Sequence, residues 1–185
     1  MKITTIGRGA VGGTLGRLWT SAGHEVTELG RDGGDASDAD VVLLAVPNQS
    51  VSAALSGVTG LEGKIVLDAT NRLSGEAPPT GYASIAEYVK ATTNGPVAKA
   101  FNLNYGRLFE QAAAASARPS NIWAGDEAAR AVVERLSRDI GMYAVNGGPL
   151  ERAGTQEDFG YILNAIVNDI GAGLLFYRFA APENF

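Results

Sequence analysis

Six residues after a short apolar run, Gly7-Arg8-Gly9-Ala10-Val11-Gly12, form the pattern GxGxxG. Their spacing suits a backbone cradle for a pyrophosphate. Gly7 permits the tight turn, Gly9 lets backbone approach the phosphates, and Gly12 allows close contact between helix and strand. The helix that opens there turns its N-terminal amides toward the same anion. The pattern carries weight because an apolar strand, a glycine loop and a helix arrive in that order within about 30 residues. An ordinary tight turn is the plain alternative. A second group sits about 20 residues on, where an NAD site places Asp or Glu against the ribose 2′-hydroxyl. Here the chain reads Leu29-Gly30-Arg31. An arginine at that point favours a 2′-phosphate through charge-assisted contact. Glu28 comes a position or two early to face the ribose, Asp32 follows directly, and a solvated loop arginine is the plain reading of Arg31. The pattern favours NADP over NAD.

Other chemistries are excluded by residue type. The chain has no cysteine, which removes disulfides, thiol catalysis and thiolate metal sites. His24 is its one histidine, so a histidine zinc site or a Ser-His triad would ask that residue to fill every role. It opens a strand at the end remote from the carboxyl edge and reads as structural. Asp68 lies inside a buried strand and reads as a local pairing or capping group ahead of a base. Tyr105 and Arg107 follow a strand end, where they fit an acidic second ligand or a plain helix start equally well. No residue is assigned as catalytic acid or base, and no metal site is expected. With 15 Lys+Arg against 20 Asp+Glu, the net charge of −5 argues against a nucleic-acid backbone as partner.

The elements that must position these groups alternate. Strands are expected at 2–6, 24–29, 40–46, 64–69, 97–101, 121–124 and 143–146. Helices are expected at 11–22, 50–55, 84–91, 105–117 and 127–140, followed by a long final helix. Such alternation gives a parallel α/β sheet, and 185 residues with 45% hydrophobic content supply about one domain's core. Residues 40–46 are apolar almost throughout, as in a strand covered on both faces. Only eight residues separate Arg31 from Asp40, too few for a crossover helix, which takes a dozen or more. The third strand and helix of a doubly wound sheet are therefore expected to be missing, with strand 24–29 at the sheet's edge. Segment 159–180 approaches bilayer-spanning length but contains Asn164, Asn168 and Asp169. Its apolar residues Phe159, Ile162, Leu163, Ile166, Val167, Ile170 and Leu174 keep the spacing of an amphipathic helix. A core or subunit-interface helix is expected, in a cytoplasmic protein with neither secretory signal nor membrane span.

Beyond GRGAVG the chain carries GHEV-x-x-x-GR, ADVVLLAVP, KIVLDATN, VAKAFN and GGPLERA, in that order. It resembles the NADPH-dependent deazaflavin (factor 420) oxidoreductase family, whose relatives include the reductase domain of the STEAP metalloreductases. The resemblance implies a Rossmann domain, 1–148, with a C-terminal helical segment, 149–185, packed on it or on a second subunit. It implies that Gly7, Arg8, Gly9, Ala10, Val11 and Gly12 form the diphosphate turn and that Gly30 and Arg31 stand at the 2′-phosphate. Gly30 lacks the side chain of the family's Ser-Arg or Asn-Arg pair. Val46, Pro47, Asn71, Ala100 and Asn102 are implied at the strand ends beside the cofactor. The missing third strand departs from the family and leaves the adenine side thinner or supplied by another subunit.

The function expected is an NADP-dependent oxidoreductase moving a hydride between NADPH and a deazaflavin or flavin-like small molecule. Ring-to-ring hydride transfer needs two rings aligned and water excluded, and the cofactors carry the chemistry. The alternative is a non-catalytic NADP(H)-binding sensor or scaffold. A homodimer is expected, because the exposed face of the apolar final helix is a liability in a monomer.

Overall fold

The computed structural model describes residues 1–72, 76–171 and 173–182. The first strand, β1 (Lys2–Ile6), feeds the glycine loop and helix α1 (Gly12–Ser21). Leu15 and Trp19, one turn apart, bury α1's inner face, and Gly23 at φ +89° ends the turn that follows. Next come β2 (Glu25–Leu29), a two-residue β3 (Gly34–Asp35), β4 (Val41–Leu44), α2 (Val51–Ser56) and a two-residue β5 (Val58–Thr59). The second half adds β6 (Ile65–Asp68), α3 (Ile85–Thr93), β7 (Val97–Lys99), α4 (Phe109–Ala112), β8 (Ser120–Gly125), α5 (Arg130–Asp139), β9 (Tyr143–Asn146) and α6 (Ala153–Ile170).

The main sheet runs β2-β1-β4-β6-β7-β8-β9. Its pairings are parallel except that between β7 and β8. The antiparallel step has a local cause. Residues 100–119, which join β7 to β8, hold only a single helical turn at Gly106–Leu108 and the four-residue α4, with no full crossover helix. Helices cover both faces. Leu15, Trp19, Phe109, Val133 and Leu136 form one core, while Val51, Leu55, Ile85, Val89 and Ala153 form the other. This is a Rossmann-like, mostly parallel α/β fold, with β2 at the edge as its short following segment requires. That segment is not featureless. Gly30 to Gly33 make a tight turn, after which β3 pairs with β5 as a small separate parallel sheet.

Two expected helices are shorter than the sequence suggested. The alanine-rich stretch 105–117 is helical only over a single-turn segment at Gly106–Leu108 and α4. Leu108, Phe109 and Ala112 are buried there, and Ala113 and Ala114 are exposed. Helix propensity without a continuing apolar stripe does not hold a short helix. The final helix stops at Ile170 because Gly171 takes the left-handed conformation, φ 61°, that closes helices. Leu174 therefore lies beyond the helix, and residues 173–182 fold back along β8. Ser120 donates its amide to Tyr177 O at 2.9 Å, and Phe179 donates its amide to Ser120 Oγ at 2.8 Å. They occupy the edge of β8 that β7, paired only at residues 124 and 125, leaves open. Residues 73–75, and 172 and 183–185 of the expected segment 149–185, lie outside the described residues. No helix among those described is long and apolar enough to cross a membrane.

Candidate functional site: the carboxyl edge of the sheet

The glycine loop, the β2 turn and the end of β4 enclose a cleft of about 650 Å³. Gly7, Arg8, Gly9, Gly30, Arg31, Val46 and Pro47, from three separate segments of sequence, all line it. The three motif glycines differ in what they permit. A Cβ on Gly7, at φ +111°, would stand 2.3 Å from Ala45 O. One on Gly12 would stand 2.0 Å from Gly7 O, so β1 and α1 approach only without it. A Cβ on Gly9 would meet nothing within 4 Å. Its lack of a side chain serves no contact inside the protein and instead leaves backbone open to the cleft. No side chain caps the start of α1, so its first-turn amides keep their capacity for an anion. Ala10 and Val11 complete the loop. Ala10 O lies 2.4 Å from where a Cβ of Gly106 would be, which brings the segment after β7 against the glycine loop.

At the β2 end of the cleft Arg31 occupies the corner of the Gly30–Gly33 turn. The Arg8 guanidinium lies over Gly30, its Cζ 3.2 Å from the position a Cβ would take. Both arginines are exposed, and neither has a hydrogen-bonding or ionic partner among the described residues. The carboxylates that complicated the sequence reading are elsewhere. Glu28 rests against Gly16 of α1, and Asp32 does not line the cleft. The wall that the absent third strand would have formed is built from α2 and the small sheet. Ser50, Ala53, Ala54 and Gly57 line it, and Gly33 packs so tightly on Gly57 that a Cβ would sit 1.9 Å from Gly57 O. Sequence reasoning missed this wall. Its only trace is the run of small residues at 53, 54 and 57.

Asn71, Ala100 and Asn102 stand at the ends of β6 and β7, next in sheet order beyond β4, and do not line that cleft. They form a unit of their own. Asn71 Nδ2 donates to Asn102 O at 2.5 Å, and Asn102 Nδ2 donates to Asn71 Oδ1 at 2.8 Å. The turn that makes this pairing possible is at Phe101, a buried non-glycine residue with φ 61°. Its amide donates to Asn121 Oδ1 at 2.9 Å, and its ring packs edge-on against Trp19, 5.6 Å away. A left-handed conformation at such a residue persists only where its surroundings enforce it.

Beneath the pair lies a buried ionic network. Lys99 Nζ is 2.7 Å from Asp68 Oδ2 and 2.8 Å from Glu157 Oε1, and all three side chains are fully buried. Lys99 also donates to Thr70 O at 2.9 Å. Glu157 bonds Arg72 Nε through its other oxygen at 2.6 Å, and Arg72 reaches Asp158 at 2.7 Å. Burial opposes the Arg72 charge, but Glu157 and Asp158 overcome it and hold the guanidinium above its ordinary pKa. Asp68 is thus a pairing group, as its place in a buried strand suggested. His24 is structural as well, with Nε2 3.0 Å from Asp139 Oδ2 at the opposite edge of the sheet. Tyr105 donates to Asn164 Oδ1 of α6 at 2.5 Å, and Arg107 is exposed. Among the described residues, no three or more His, Cys, Asp or Glu side chains gather as a metal site would require.

No family model matches the chain, and no curated protein matches it significantly in sequence. Solved structures do match. A protein provisionally named an F420-dependent NADP-reductase, from Arthrobacter sp. FB24, superposes with a TM-score of 0.81 at 25% identity. The match covers 98% of this chain and 100% of that one. A hypothetical protein from Sinorhizobium meliloti gives a TM-score of 0.66 at 26% identity, over 83% of this chain and 88% of its own. A reductive aminase from Aspergillus terreus, in complex with an NADPH derivative, shares the fold at a TM-score of 0.67 and 16% identity. That match covers 92% of this chain and 62% of the aminase. From its first strand into the folded-back tail, the chain therefore resembles the NADP-dependent deazaflavin oxidoreductases in architecture as it does in sequence motif.

Proposed function

We propose that this protein is an NADP-dependent oxidoreductase that moves a hydride between NADPH and a deazaflavin or flavin-like acceptor. The observation that carries the reading is the pair of unpartnered guanidiniums, Arg8 and Arg31, facing one cleft where the loop backbone at Gly9 lies open. Among the described residues, no carboxylate lines that cleft. Such a donor set suits a dinucleotide bearing a 2′-phosphate, and a lone acidic residue there would suit NAD instead. Gly7 to Gly12 would hold the diphosphate, with Gly30, Arg31 and Arg8 at the phosphorylated ribose. Val46 and Pro47 would flank the cofactor's course toward Asn71, Ala100 and Asn102. NADPH, when bound, supplies the hydride. The chain's own part is to hold two rings in register and keep water from their meeting place. The fit of this fold to the Arthrobacter protein supports a deazaflavin as acceptor. We read 1–148 as the dinucleotide-binding Rossmann domain and 149–185 as a C-terminal helical segment packed on it or on a second subunit.

The experiment is titration of the protein with NADPH and NADH, followed by NADPH oxidation with a deazaflavin and with flavins as acceptors. A tenfold or greater preference for NADPH, about 1.4 kcal/mol, with turnover of the deazaflavin is expected. Tight NADPH binding without turnover of any acceptor would give the non-catalytic sensor instead, and binding of neither nucleotide would overturn both.

We further propose that the active form is a homodimer joined through α6. Ile162, Ile166 and Ile170 lie one turn apart along that helix and are 54%, 40% and 53% exposed. Such a stripe on a free surface is characteristic of an interface. Sedimentation of the wild type should give a dimer, and Ile166→Asp should give a monomer.

A further inference from the structure

We propose that Gln156, near the start of α6, is a positioning residue that, through the Asn102 side chain, holds Asn71 in place as a hydrogen-bond donor for the carboxamide oxygen of the nicotinamide. The inference rests on the cofactor reading above and assigns a role to a residue that no motif marked. Gln156 is 6% exposed, and its Nε2 stands 2.7 Å from Asn102 Oδ1, 3.2 Å from Lys99 O and 3.0 Å from Ile122 O. Three acceptors around one nitrogen fix which end of the Gln156 amide faces them, since an oxygen there would meet three oxygens. Orientation then propagates. Asn102 must turn its oxygen to Gln156, so it offers Nδ2 to Asn71 Oδ1, and Asn71 in turn offers Nδ2 to Asn102 O.

Donor counting gives the consequence. An amide nitrogen carries two hydrogens, and Asn71 Nδ2 spends one on Asn102 O. Its second has no acceptor among the described residues. Asn71 is half-buried whereas Asn102 is buried, so the spare N–H nearest solvent at this strand end belongs to Asn71. Its side-chain oxygen is already engaged by Asn102. The residue therefore recognises an acceptor, such as a carbonyl oxygen. The Asn102 carbonyl orients the Asn71 amide, while Gln156 anchors the Asn102 side chain that engages Asn71 Oδ1, so without Gln156 the pair loses its anchor and Asn71 its fixed place.

The test compares NADPH with 2′-phospho-ADP-ribose, which is the cofactor without its nicotinamide, in direct binding titrations. In the wild type NADPH should bind more tightly. Gln156→Leu should weaken NADPH about fivefold or more and leave 2′-phospho-ADP-ribose unchanged. The thionicotinamide analogue, whose sulfur accepts poorly, should bind the wild type more weakly than NADPH, and that gap should close in Gln156→Leu. A general packing role would lower both affinities together and overturn the proposal, as would no change in either. If Gln156→Leu does not fold, Asn71→Leu is expected to give the same selective loss, and equal loss of both ligands there also overturns the proposal. Failure of the wild type to bind 2′-phospho-ADP-ribose would show instead that the cofactor-site reading is wrong.

Discussion

Arg8 and Gly30 come from different strands' ends, yet the guanidinium of one fills the space a side chain on the other would take, at 3.2 Å. A glycine at position 30 thus gives up a side-chain hydroxyl or amide but makes room for a second cation beside Arg31.

The first prediction concerns this pair of cations. Arg31→Ala should weaken NADPH binding by about 10- to 100-fold, the range expected for a charge-assisted hydrogen bond of ~1.5–3 kcal/mol. NADH binding should be nearly unchanged. Arg8→Ala should do the same to a smaller degree, and the NADPH preference should fall with added salt because both guanidiniums are exposed. Equal loss of both nucleotides in Arg31→Ala would place Arg31 away from the 2′-phosphate.

The motif glycines make a second prediction, in which stability and binding separate. Gly9→Ala puts its methyl group into open space, so the melting temperature should hold while dinucleotide affinity falls. Gly12→Ala drives a methyl to 2.0 Å from Gly7 O and should lower the melting temperature before any ligand is added. Thermal melts of the two variants, with and without NADPH, separate these cases.

What the sequence made legible follows from how local each signal is. The glycine loop and the buried strand Val41–Leu44 are written in consecutive residues, and both formed as expected. The edge position of β2 followed from a count of eight residues. Helix 105–117 was misjudged because alanine content reports intrinsic propensity, while helix length here depends on an apolar face that ends at Ala112. The end of α6 at Gly171 was hidden by continuing hydrophobic residues that pack in the folded-back tail instead. Asn71 and Asn102 were recognisable as strand-end residues, but not as partners. Their pairing depends on the left-handed turn at Phe101 and on Gln156, which lies 54 positions from Asn102. Arg72, Lys99 and Glu157 were missed for the same reason: a buried ion pair leaves no mark until distant segments are brought together.

That network supplies a third prediction. Lys99→Met preserves length and bulk but leaves Asp68 and Glu157 buried without their shared cation. Removing one partner of a buried ionic group costs about 3–5 kcal/mol, a fall of about 6–20 °C in melting temperature for a chain of this size. A loss under about 1 kcal/mol in denaturant titration would mean that water or neighbouring groups already neutralise the pair.

The tail gives a prediction in pH. Burial pushes the Tyr177 phenol up to about 12, although hydrogen bonds from the Ile122 amide and Asn104 Nδ2 to its oxygen favour the phenolate. The unfolded phenol titrates near ~10, so the folded pKa is the higher of the two. The neutral, buried phenol therefore contributes stability in full below about pH 10, and that contribution is lost as pH rises from about 10 toward 12. Two pKa units correspond to roughly 2–3 kcal/mol. Comparing the wild type with Tyr177→Phe cancels the other groups that titrate in this range. The wild type should lose stability more steeply than the variant between about pH 10 and 12, and phenolate absorbance should show one tyrosine ionising late. Parallel stability curves would mean that the folded-back tail opens below pH 10 and exposes Tyr177 to water before it ionises.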